Sequence, residues 1–207
     1  MLRFDESSLV QSLDRLPNEY RTAFAAACAQ RLLPRYTAFY ARLRDKNQEE
    51  EQVAEKYLSF LWRELSERRL DHERIEAMIK RLLATLPDED TTSAANEPYC
   101  TDAGAAVVFS LQSHLTGQTK FPIMAARRVY HALDNFVINN LFPNEQRIMD
   151  PDEEIVLAHP LIQRELSRQQ ADLDMLSSAI QGTDDKTDAL SELRKRAEEQ
   201  SERVFLL

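Results

Sequence analysis

Arg127, Arg128, His131 and Asp134 form the nearest approach to a reactive constellation in this sequence. An imidazole and a carboxylate three positions apart on a helix share one face, so His131 and Asp134 can exchange a proton or offer two donors to a metal ion. The simpler reading is an ion-paired, half-buried polar edge, because charged i,i+3 contacts are common on helices. A small-molecule or metal site at this edge is the alternative. Cys100 is the other candidate for chemistry. It stands before an expected helix N-terminus, whose dipole lowers a thiol pKa, but Asp88, Glu89, Asp90 and Glu97 crowd the same stretch and push it back up. With no matched His and Asn arrangement beside it, a nucleophilic role is not expected.

The patterns that more specific chemistry requires are missing. The sequence contains no Glu-x-x-His pair of the kind that di-iron bundles place on facing helices, no His-x-x-x-His and no Cys-x-x-Cys. It also lacks a Gly-rich phosphate loop and a Gly-x-Ser-x-Gly elbow. His72, His114, His131 and His159 are scattered. The sequence therefore assigns no catalytic residue, no metal ligand and no cofactor, and it reads as a non-enzymatic protein.

What it offers instead is negative charge. The formal charge is −9 and the pI is near 5.0, with no strong basic cluster, so nucleic acid is not an expected partner. One acidic group comprises Asp88, Glu89, Asp90 and Glu97; a second comprises Asp150, Asp152, Glu153 and Glu154; Asp172, Asp174, Asp184, Asp185 and Asp188 follow. Solubility and charges that complement helix dipoles account for any one cluster. The sharper account makes the first two groups a binding face for a basic protein. Opposite potentials speed association and select partners, as in small acidic inhibitors of the immunity type that neutralise basic toxins. By charge and size, the chain fits that class.

These residues must be positioned by helices. Glycine occurs only at Gly104, Gly117 and Gly182, whereas Leu, Ala, Glu and Arg abound, which suits helices and starves a sheet of turns. The periodicities predict an all-α bundle of about seven to nine helices in a single domain over residues 1–207. Its expected centre is a hairpin from Thr101 to Leu141, in which Thr101 caps one helix, Gly117 ends it, and Thr119 caps the next. Asp71 is placed as an N-cap, and Leu70 with Ile75 has the spacing of a hydrophobic staple. Pro34 is expected to kink or restart a helix. From about Asp185 the apolar positions Leu190, Leu193 and Ala197 thin to a narrow seam, so residues 186–207 read as a peripheral helix or one that pairs with a second copy. No run approaches the roughly 20 apolar residues of a membrane span. Two cysteines and a start, MLRFDESS, without a signal-peptide pattern predict the cytoplasm.

The segments Ala23 to Tyr40, Tyr57 to Leu65, Leu82 to Asp90 and Asp102 to Phe136 resemble the YjaG-like family, bacterial all-helical proteins classed as a domain of unknown function. The features that carry the resemblance are Cys28, Leu33-Pro34, Tyr36, Trp62, Leu86-Pro87 and Asp102-Ala103. The polar stretch DKNQEEEQ and the loop around Cys100 are longer than that pattern. The resemblance implies a compact helical bundle and an association with bacterial signalling, and it carries no established activity.

Overall fold

The computed structural model describes residues 1–42, 52–87, 97–141, 153–181 and 186–201, and among them nine α-helices and no strand. They are α1 (Glu6–Asp14), α2 (Asn18–Arg42), α3 (Val53–Glu67), α4 (His72–Thr85), α5 (Glu97–Thr116), α6 (Lys120–Leu141), α7 (Glu153–Leu157), α8 (Pro160–Gln181) and α9 (Lys186–Gln200). The expected all-α architecture is what the chain adopts.

Its centre is α2 packed on the expected hairpin. Sixteen of the 25 residues of α2 are buried, and every position from Ala23 to Ala29 is fully so. A helix buried on all sides needs neighbours all round, and α2 packs against α3, α5, α6, α8 and α9. Small side chains make this possible. The alanines of α2 lie against α5, which brings its own Ala103 and Ala106, and a buried hydrogen bond joins Thr22 and Ser113 hydroxyls at 2.9 Å. Pro34 does not restart the chain as a new helix, since α2 runs through it to Arg42. A mid-helix proline costs about 3 kcal/mol, and burial of Leu32, Leu33, Tyr36, Phe39 and Tyr40 on either side of it offsets that cost.

The α5–α6 hairpin forms around Gly117, whose φ of 67° lies in the left-handed region and whose N–H donates to the Ser113 carbonyl at 2.9 Å. Of its expected caps, Thr101 is displaced, while Thr119 stands at the N-cap position and turns its hydroxyl to other partners. α5 begins at Glu97, so Thr101 lies inside it. Thr119 uses its hydroxyl to join α1 and α2, donating to Asp14 at 2.6 Å and accepting from Arg21 at 2.9 Å. Asp71 does cap α4, accepting from the Arg74 N–H at 3.1 Å. Its companion staple is half made, with Ile75 buried and Leu70 left 43% exposed.

α9 turns Leu190, Leu193 and Ala197 inward, where all three are buried in the common core. These side chains pack within the chain, and a second copy would have to use another face. None of the described helices is long and apolar enough to cross a membrane.

Candidate functional site

The polar edge of α6 is divided between two neighbours. Arg127 ion-pairs with Glu6 at the start of α1, and Arg128 donates to Asp102 of α5 at 2.9 Å. Asp102 is almost fully buried, and burial holds its carboxyl above the usual range in spite of Arg128. With both arginines engaged, His131 and Asp134 remain together at the surface. Among the described residues no hydrogen bond or ion pair joins them, although His131 favours the ionised form of Asp134 through space. Burial outweighs that influence and raises the Asp134 pKa, and the nearby Glu153 carboxylate raises it further.

This last coupling unites two groups that the sequence keeps apart. Glu153 and Glu154 open α7 and are exposed, and Glu153 stands near Asp134 of α6. The half-buried Tyr130 hydroxyl lies in the same field: burial raises its pKa first, then Asp134 and Glu153. Its ring stacks on Phe4 at 5.1 Å between centroids. Ile155 adds an apolar contact point, 54% exposed, next to the glutamates. Arg3 reaches Glu154 at 3.8 Å, with both side chains more than half exposed, a pair worth little in water. Among the described residues, Asp134 and Glu153 thus form a small acidic group beside the Phe4–Tyr130 stack. Of the other acidic candidates, Asp88, Glu89, Asp90, Asp150 and Asp152 lie outside the described residues, as does the side chain of Glu97 at the start of α5.

A second polar group, unforeseen from sequence, lies inside the bundle. Arg31 of α2 donates through Nη1 to Asp172 Oδ2 at 2.7 Å and through Nε to Glu165 Oε1 at 3.2 Å, with all three side chains buried. Gln169 donates to the same Glu165 oxygen at 3.0 Å, and Arg196 of α9 approaches Asp172 at 3.8 Å. Burial alone would favour neutral Arg31, yet its facing carboxylates outweigh that and hold its pKa above the ordinary value. Burial also raises Glu165, against the pull of Arg31. Asp172, which reads in the sequence as part of the acidic surface, is fully buried here. The missed signal was register. Glu165, Gln169 and Asp172 share one face of α8 with Ile162, Leu166, Leu173 and Leu176, so they lie within its apolar stripe.

Neither cysteine is available for chemistry at the surface. Cys28 sits beside Arg31 with its thiol pushed up by burial, and Cys100 is fully buried in α5. Arg35 lies over the rings of Tyr99 and Phe136 at 5.2 and 5.6 Å, and burial pulls its pKa down to about 10. Among the described residues no three His, Cys, Asp or Glu side chains are grouped to hold a metal ion.

A family model described as a protein of unknown function, DUF416, matches residues 8–202. The fold is similar to the crystal structure of a DUF416 family protein from Shewanella baltica OS155, with a TM-score of 0.76 and 20% identity over 92% of this chain and 93% of that one. At that identity the likeness concerns the fold alone. No curated protein matches the chain.

Proposed function

The chain belongs to the DUF416 family, whose function is unknown, and from that premise we propose that it is a non-catalytic helical module whose acidic edge docks a basic protein. The observation that supports this reading is the meeting of Asp134 with Glu153 from separate helices beside the Phe4–Tyr130 stack, with Glu154 and the exposed Ile155 following Glu153 in α7. Arg127 and Arg128 are paired with Glu6 and Asp102. Clustered charge of one sign steers an oppositely charged partner, and an apolar centre supplies the area that holds it. A basic toxin neutralised by an immunity-type inhibitor is the partner class that suits this chemistry, with the cytoplasm as the compartment. The YjaG-like resemblance supports a second reading, an accessory protein of bacterial signalling.

Affinity capture from the native host tests the proposal, with three baits compared by quantitative mass spectrometry. A basic protein retained by the wild type and by Glu192→Lys/Glu199→Lys, but lost by Glu153→Lys/Glu154→Lys, is the expected result. Both variants change net charge equally, so equal retention by the two would refute the edge.

A further inference from the structure

The groove between α3 and α4 presents the opposite electrostatics. Lys56 and Arg63 from α3 and Arg74 from α4 line an open cavity of about 670 Å³, together with Phe60. All three cations are exposed, and among the described residues none of them forms an ion pair. In a chain with a formal charge of −9, carboxylates are plentiful, which makes this an unusual gathering. Among the described residues that line this groove, Glu55 is the one carboxylate; Arg63, Arg74 and Phe60 also border a neighbouring cavity lined by Glu64, Glu67, Asp71 and Glu73.

The buried Phe60 ring organises the cluster. Arg74 lies over it with its guanidinium carbon 4.5 Å from the centroid, and Arg63 lies over it at 5.3 Å. Cation–π contact uses the face of a guanidinium and leaves its N–H edge for an acceptor. Holding two guanidiniums against one ring costs Coulomb repulsion, which a bound anion would relieve. Arginine forks match tetrahedral oxyanions through paired, charge-assisted hydrogen bonds, and a neighbouring lysine adds a compact charge. A cavity of this volume suits a small organic molecule.

We propose that the α3–α4 groove, with Arg63 and Arg74 braced on Phe60 and Lys56 beside them, is a binding site for a small molecule carrying a phosphate monoester. The site shares no residue with the acidic edge of α6 and α7, so either can fail without the other.

The test is titration of the full chain with phenyl phosphate and with inorganic phosphate at low and constant ionic strength. Binding is read by calorimetry and by the NMR signals of the arginine Nε–H groups. Phenyl phosphate should bind saturably, move the Arg63 and Arg74 signals, and bind more tightly than inorganic phosphate. Arg63→Gln/Arg74→Gln should weaken binding by roughly tenfold or more, since hydrogen bonds to charged groups are lost. The charge-matched Arg68→Gln/Lys195→Gln should leave it unchanged. Lys56→Gln, which disturbs no ring contact, should weaken it several-fold with unaltered thermal stability. Equal losses in both double variants, or no saturable binding, would overturn the site. Tight capture of an acidic peptide that phenyl phosphate fails to displace would also overturn it, in favour of a protein ligand.

Discussion

Arg31, halfway along α2, and Asp172, halfway along α8, meet at 2.7 Å with their side chains 3% and 0% exposed. An ion pair so buried contributes little net stability, because desolvating the charges costs about what their attraction returns. Its effect is on register. Arg31 also holds Glu165, so α8 is fixed against α2 at two points about two turns apart on one helical face, and Arg196 brings α9 to the same place.

Removing the cation is therefore the most damaging change at this network. Arg31→Met leaves two buried carboxylates facing each other, and a loss of about 3 to 5 kcal/mol is expected in urea unfolding. Replacing all three residues, as Arg31→Met/Glu165→Leu/Asp172→Leu, should recover most of that loss. A single variant as stable as the wild type would contradict the network.

The pH dependence of the same group carries a defined sign. Burial raises Glu165 above its ordinary 4.5, so the folded chain holds this proton more tightly than the unfolded chain does. Its contribution to stability is complete below pH 4.5 and is lost as pH rises through the raised folded value. The difference in stability between the wild type and Glu165→Gln should thus fall as pH rises through that window and then level off. Urea midpoints of both proteins between about pH 5 and about pH 8 measure it. An increase with pH would reverse the assignment.

The close approach of α2 and α5 predicts intolerance of bulk. Ala26→Leu, at a fully buried position of α2, should cost about 1 to 3 kcal/mol through displaced backbone and strained rotamers. Ala77→Leu, on the exposed face of α4, should stay within about 0.5 kcal/mol. Equal effects would mean that α2 is less closely packed than its burial indicates.

These positions also explain what the sequence could and could not reveal. Gly117 and Asp71 were legible because a left-handed C′ glycine and an aspartate N-cap are local devices that act within a few residues of themselves. The central role of α2 was not, because FAAACA is buried all round and so shows no polar face against which an apolar stripe would stand out. At Pro34 the tendency to end a helix was overridden by tertiary burial, so α2 continues past it. The acidic edge was half legible. Asp134 and Glu153 were recognisable by type, but only the folding of α7 against α6 brings their groups together.

The kinetics of partner association test the proposed acidic edge most directly. With the captured basic protein, the association rate should fall as salt is raised, because screening weakens steering, while dissociation changes less. Glu153→Lys/Glu154→Lys should slow association, and Glu192→Lys/Glu199→Lys should leave it near the wild-type rate. An association rate that ignores both salt and the Glu153→Lys/Glu154→Lys change would contradict the account.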